Sequence, residues 1–193
     1  MHDIAPKASV RRSILQRRAA LTDEDRAAAG RALRDTLLGL PEIEMAASVA
    51  AYVAIGSEPP TSGLLFALWK RGTYVLLPRL LPGGDLDWAS YEGPDSLRPG
   101  PRGLLEPTEP PRGPGAIAGT DVVLVPALAV DRRGVRLGRG GGSYDRVLAR
   151  VGPAILTVGL LYDGELLDEL PSEPHDQRVT AAVTPSEGLI RLG

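Results

Sequence analysis

The chain has 193 residues, 43% of them hydrophobic and 24% charged, a balance that suits one compact globular domain with a substantial core. A net charge of -2 and an isoelectric point near 5.7 give no overall field toward nucleic acid or an anionic membrane, so any bound anion must be held locally. With no cysteine there is no disulfide, thiolate nucleophile or cysteine metal site, and two histidines are too few for a histidine-rich zinc centre, which leaves oxygen ligands for any metal.

The opening segment, MHDIAPKASVRRSILQRR, lacks the apolar core of a signal peptide, and no apolar run approaches the roughly 18 residues of a membrane span. The expectation is a cytoplasmic protein, with His2 on a frayed terminus. Val10, Ile14, Arg18 and Leu21 form one stripe at helical spacing, so the first element reads as a helix with a strongly basic side. Thr22 before Asp23, Glu24 and Asp25 resembles a capped start of a second helix, which should end near Gly39 and Pro41. The runs Ser48 to Ile55, Thr73 to Pro78, Asp121 to Val130 and Ala154 to Leu160 have the Val, Ile, Leu and Ala texture of strands buried on both faces. A helix over Ser62 to Arg71, capped by Thr61 and ended by Gly72, lies between the first two. Strand, helix, strand in that order predicts a right-handed crossover and a mainly parallel sheet. From Pro82 to Gly119 prolines and glycines dominate, interrupted by a strand or hairpin arm at Leu86 to Tyr91; Gly93 to Gly119 reads either as a substrate-facing loop or as a linker.

The chemistry concentrates in Asp121 to Leu148, DVVLVPALAVDRRGVRLGRGGGSYDRVL. A strand ending at Val130 and a turn at Asp131 to Gly134 precede Gly138, Gly140, Gly141 and Gly142, which lead into a helix near Ser143 or Tyr144. Such glycines admit positive φ and remove Cβ atoms, so that backbone amides can converge on phosphate oxygens. Arg136 and Arg139 add guanidinium donors, and Asp145 stands where a metal next to those phosphates would need a ligand. The segment is not a P-loop, which needs a lysine after its glycines, nor a dinucleotide fingerprint, which needs glycine where Ser143 stands. A tight-packing turn with no ligand is the plain structural alternative.

Taken together, Val-Pro-x-Leu-Ala-x-Asp followed by Arg-Leu-Gly-Arg-Gly-Gly-Gly-x-Tyr-Asp-Arg resembles the signature of the 5-formyltetrahydrofolate cyclo-ligase family. Further matches follow the same order along the chain. Lys7-Ala-Ser-Val-Arg11 resembles the family's ATP-binding Lys-x-x-x-Arg. Glu58-Pro-Pro-Thr61 resembles the segment whose glutamate contacts folate, with Val53 at an apolar substrate-lining position. Gly103-Leu-Leu-Glu-Pro107 resembles the Gly-Ile-x-Glu-Pro loop, and Pro171 to Asp176 the late Pro-x-x-x-His-Asp segment. The family often has a tyrosine where Ser143 stands and a lysine where Gly141 stands, so stacking near the substrate falls to Tyr144 and phosphate contact to the arginines.

The resemblance implies a three-layer, Rossmann-like α/β domain over residues 1–193, with a mainly parallel central sheet flanked by helices. It also implies ATP-dependent, Mg²⁺-dependent conversion of 5-formyltetrahydrofolate into 5,10-methenyltetrahydrofolate. A monomer is expected, and the charge and hydropathy give it neither nucleic acid nor membrane as a partner. Lys7, Arg11, Arg136, Leu137, Gly138, Arg139, Gly140, Gly141, Gly142, Ser143 and Tyr144 are then the ATP-binding set. Val53, Glu58 and Tyr144 would face folate, Asp145 and Asp176 would hold Mg²⁺, and Arg139, Tyr144 and Asp145 would carry catalysis. Each has an ordinary reading: Lys7 and Arg11 a solvated helix face, Glu58 and Thr61 a loop and a cap, His175-Asp176 a surface turn. Trp69 reads as core and Trp88 as a candidate pocket wall. A non-catalytic folate or nucleotide binder, and a sugar-phosphate or CoA enzyme on a similar fold, are the rival functions.

Overall fold

The computed structural model describes residues 6–193, which leaves His2 outside the described residues. Helix α1 (Lys7–Ala19) buries Ile14 and Arg18, both from the stripe read in the sequence. Helix α2 (Asp23–Leu38) opens on a capping box: Thr22 Oγ1 accepts the Asp25 amide at 3.1 Å, and the Asp25 carboxylate accepts the Thr22 amide at 3.0 Å. It ends at Gly39, and the single turn α3 (Pro41–Glu44) leads into strand β1 (Ser48–Ala50). Helix α4 (Ser62–Lys70) crosses over to β2 (Tyr74–Leu80), which turns back as β3 (Leu86–Ser90).

The segment read as loop or linker is ordered: β4 (Leu97–Pro99) and β5 (Leu105–Pro107) form a hairpin, with short 3-10 turns at Pro94–Ser96, Pro101–Gly103 and Pro114–Gly119. Then come β6 (Val122–Pro126), β7 (Ala129–Asp131), β8 (Arg136–Leu137), α5 (Ser143–Leu148), β9 (Leu156–Leu160), β10 (Leu166–Leu167), β11 (Ala181–Thr184) and β12 (Gly188–Arg191).

The main sheet has the order β12-β11-β9-β6-β1-β2-β3, with parallel pairing throughout except at the two outermost strands. Val49 of β1 stands between Val75 and Val122. Alternate residues fill opposite faces, as expected of a sheet covered on both sides. Val122 and Leu124 pack with Leu33 and Leu37 of α2 and Leu64, Leu65 and Leu68 of α4; Val123 and Val125 pack with Trp88, Ile117, and Val147 and Leu148 of α5. The second face is therefore covered partly by α5 and a 3-10 turn, and beyond them by a small sheet in the order β10-β7-β8 on which α1 seats Ile14.

Two sequence expectations need correction. The apolar run 121–130 is not one strand: it leaves the main sheet after Pro126 and enters the small sheet at Ala129. Buried guanidiniums take the carbonyls at the break, Arg136 Nη1 donating to Pro126 at 3.1 Å and Arg18 Nη2 to Ala127 at 2.7 Å, while the Leu128 amide pairs with Leu137 at 2.8 Å. Gly159 in β9 makes the crossing possible, because a Cβ there would lie 2.9 Å from Val130 Cγ2. Trp88, read as a pocket wall, is wholly buried core, whereas Trp69 is only partly buried beside Phe66 and Tyr91.

Candidate active site

From β1 the chain moves one way to β2, and from β6 the other way to β9 and β11. The strand order therefore reverses between β1 and β6, and the loops leaving their carboxyl ends diverge to leave a crevice. A cleft of about 540 Å³ occupies it, lined by Tyr52, Val53, Ile55 and Glu58 after β1 and by Pro126, Ala127 and Leu128 after β6. Lys7, Arg11, Val53, Glu58, all residues from Arg136 to Asp145, and Asp176 line this one cleft, so the residues picked out in the sequence converge in space.

The glycine loop is fixed at both ends. Arg11 Nε donates to the Gly138 carbonyl at 2.8 Å, and Ser143 Oγ donates to the Gly84 carbonyl, joined there by Arg146 Nη2 at 2.6 Å. Gly140 and Gly142 have φ of 100° and 68°, which glycine adopts without strain, and Gly142 precedes the first residue of α5. Gly138 leaves room for the buried guanidinium beneath it, since a Cβ would lie 2.7 Å from Arg136 Nη1 and would have to displace it. Arg136 is buried beneath the loop, its guanidinium 5.7 Å from the Tyr144 ring centre and 3.5 Å from Asp145 Oδ1. Burial lowers its pKa, against the opposing pull of Asp145 and Tyr144, and no group among the described residues meets its Nε.

On the opposite wall the Glu58 carboxylate accepts the Ile55 amide at 2.9 Å and lies 3.5 Å from Arg139 Nε. Burial raises its pKa, although the Ile55 amide, Arg139 and Arg18 all favour the charged form. Burial and the charge of Glu58 together raise the Tyr144 phenol, so it keeps its proton at neutral pH and remains a donor. Thr61 does not cap α4 with its side chain. Its hydroxyl donates to the Tyr52 carbonyl at 2.8 Å and accepts the Ala54 amide at 2.9 Å, which shapes the loop carrying Val53 and Glu58.

At the third edge, Lys7 Nζ lies 2.7 Å from Asp176 Oδ2 and 2.9 Å from Glu173 Oε2. Burial works against each charge, but their mutual hydrogen bonds prevail: the lysine is raised and Asp176 lowered. His175 and Asp176 do form a turn, with His175 exposed and Asp176 directed inward. The Gln177 amide approaches Asp145 Oδ1 at 3.4 Å, which brings the segment just after Asp176 against α5.

Sequence reasoning gave no role to Tyr52, Arg102, Leu104, Leu105 and Glu173, all of which line the cleft, although Leu104, Leu105 and Glu173 lie in segments it matched to the family. Tyr52 had a usable signal, since it directly precedes Val53 at the end of a strand that opens onto the switch point. The residue is 3% exposed and its hydroxyl has no hydrogen-bond partner among the described residues. The others sit on the tip of the β4–β5 hairpin and in the 170s segment, whose approach to the cleft depends on tertiary packing.

Comparison with known proteins adds to this geometry. The 5-formyltetrahydrofolate cyclo-ligase family profile matches residues 3–185. A 5-formyltetrahydrofolate cyclo-ligase from Mycolicibacterium smegmatis is 41% identical over 191 residues, covering 96% of this chain and 97% of the relative. One from Escherichia coli is 34% identical over 181 residues, covering 90% and 97%. The solution structure of Aquifex aeolicus 5,10-methenyltetrahydrofolate synthetase superposes with a TM-score of 0.84 at 30% identity, covering 96% of this chain and 92% of that one. The Mycoplasma pneumoniae synthetase, at 20% identity and a TM-score of 0.73, shares the fold. With a family match over nearly its whole length and close relatives of equal extent, the chain belongs to the 5-formyltetrahydrofolate cyclo-ligase family.

Proposed function

We propose that this protein converts 5-formyltetrahydrofolate and ATP into 5,10-methenyltetrahydrofolate, ADP and phosphate. The observation that carries the reading is the convergence of the glycine loop and the Glu58 loop on one cleft at the switch point, a nucleotide wall facing a substrate wall. A formamide carbonyl is a poor electrophile and its oxygen a poor leaving group. The reaction needs an activating group, not a protein nucleophile. The formyl oxygen attacks the γ-phosphorus, a new P–O bond forms and the bond to ADP breaks. N10 then attacks the activated carbon and loses its proton, and phosphate departs with the former formyl oxygen.

What the chain supplies is placement and charge. Lys7, Arg11 and the loop from Arg136 to Tyr144 hold the triphosphate, with Arg139 placed to stabilise charge on the transferring group. Arg139 is the most exposed of these cations, and its pairing with Glu58 is long enough to exchange for phosphate as ATP arrives. Glu58 accepts hydrogen bonds from the pterin, Val53 packs on it, and the protonated Tyr144 donates between the two ligands. Buried Arg136 acts by holding Asp145 and Tyr144 in place.

Asp145 and Asp176 are hard oxygen donors lining the same cleft on segments that touch, a set that fits Mg²⁺ with the remaining positions left to water and phosphates. When bound, the ion neutralises charge on the phosphates.

The test is the rise of methenylfolate absorbance when protein, Mg-ATP and 5-formyltetrahydrofolate are mixed, with ATP omitted as control. ATP-dependent growth is expected, and Asp145→Ala should lose turnover by on the order of 10²-fold or more while retaining folate binding. A flat trace with folded protein that binds either ligand would replace the enzyme with a binder. Near-wild-type turnover by Asp145→Ala would remove that residue from the metal site.

A further inference from the structure

Arg102 is the one non-glycine residue among those described with a positive φ, at 56°. It sits in the exposed 3-10 turn Pro101–Gly103 that joins β4 to β5, and the hairpin below that turn is anchored to the main sheet. Glu106, buried at the base of the hairpin, accepts the Leu80 amide at 2.8 Å, and Gly100 has no Cβ where its carboxylate passes. An L-residue in the left-handed region is disfavoured, and such outliers gather where function holds them.

The cations lining the cleft are Lys7, Arg11, Arg102, Arg136 and Arg139. Lys7 is held by Asp176 and Glu173, Arg11 by the Gly138 carbonyl, Arg136 by Pro126 and Asp145, and Arg139 by Glu58. Arg102 alone among them makes no hydrogen bond or ion pair with the described residues. Arg102 is an exposed residue that lines the cleft together with Leu80, Leu86, Leu104 and Leu105, and Leu105 is itself unusually exposed for a large apolar side chain.

We infer that Arg102 is a specificity-determining residue that binds the carboxylates at the glutamyl end of the folate substrate. The inference rests on the activity proposed above. With N5 and its formyl group turned to the glycine loop, the pterin lies between that loop and Glu58. In this arrangement the aminobenzoyl ring packs on the leucines of the cleft, and Arg102, two and three positions before Leu104 and Leu105 in the chain, offers the glutamyl carboxylates an unpaired, planar guanidinium. Arg102 touches none of the reacting atoms, so it should change how well substrate is held and not how fast it reacts.

The experiment compares wild type, Arg102→Gly and Arg102→Lys on 5-formyltetrahydrofolate and on its diamide, in which both glutamate carboxylates are blocked. Glycine removes the guanidinium and tolerates the backbone, so thermal stability should be kept or slightly raised. Arg102→Gly should raise KM for the free acid by roughly 5- to 10-fold with kcat within about twofold, and lysine should recover part of the loss. On the diamide the three proteins should agree. An unchanged KM for the acid, or an equal loss on both substrates, would overturn the assignment. If wild type turned over neither substrate, the activity would fall and this inference with it.

Discussion

Glu58 keeps 9% of its side chain exposed, between the Ile55 amide and Arg139, and burial still raises its pKa above the usual 4.5. The consequence for stability has a definite sign. Between 4.5 and its raised value the folded state keeps a proton that the unfolded chain releases, so stability declines as pH rises through the folded value. Above it, the ionised carboxylate is a standing cost that a pterin offering donors would offset. Glu58→Gln keeps an acceptor for Ile55 and removes the charge. Its melting temperature should exceed that of wild type at pH 8, with the gap closing as pH falls toward 4.5, while folate binding weakens. Parallel pH–melting curves for the two proteins would refute this account of Glu58. Single residues were unevenly legible in the sequence. Arg18 fell on the helical stripe with Val10, Ile14 and Leu21, and the structure buries it in a bidentate pair with Glu165 at 2.7 and 2.8 Å. Its partner is 147 positions away, and no local pattern announces it. Trp88 misled because a tryptophan in a glycine- and proline-rich half looks exposed, whereas β3 carries it into the core.

Elements that carry their own signals were readable and those made by partners were not. The capping box of α2 and the glycine stop at Gly39 are local chemistry, and the helix follows them to the residue. β8 and β10 are two residues each and exist because β7 lies between them; β11, Ala-Ala-Val-Thr, is too short and small-sided to stand out before β9 supplies its ladder. The turn from β7 to β8 deserves a test, since it aims Arg136 and the glycine loop. Gly134 there has φ of 82°, donates to the Asp131 carbonyl at 2.9 Å and accepts the Val179 amide at 2.9 Å. A Cβ at this position would collide with the Val179 carbonyl oxygen. Left-handed strain and overpacking together put the cost of Gly134→Ala at roughly 2–4 kcal/mol. For a chain of this length that lowers the melting temperature by roughly 5–15 °C. A variant melting within about 2 °C of wild type, no more than the shift expected for about 1 kcal/mol, would mean the turn relaxes freely.

Across the whole molecule the cleft joins parts of the chain that lie far apart in sequence. Lys7 on the first helix meets Asp176, 169 positions later, and Arg11 reaches the glycine loop 127 positions away. The sequence identified both ends of these contacts through a family resemblance. Their meeting follows from the strand order, which places α1, the β6–β7 break and the 170s turn around one crevice. A ligand that replaces protein–protein ion pairs with pairs to its own phosphates then fastens α1 and the 170s turn through itself. Mg-ATP at 100 times its dissociation constant would stabilise the native state by about 2.7 kcal/mol. That corresponds to a rise in melting temperature of roughly 5–11 °C for a chain of this size. Lys7→Ala separates the two roles of the lysine. Its pairs lie near the surface, so the unliganded variant should lose only about 1 kcal/mol or less. The Mg-ATP-induced rise, measured at one fixed ligand concentration, should shrink to less than half, because the ligand loses a charge-assisted contact. An undiminished rise in Lys7→Ala would place the phosphates elsewhere in the cleft and leave Lys7 as a clasp between the first helix and the 170s turn.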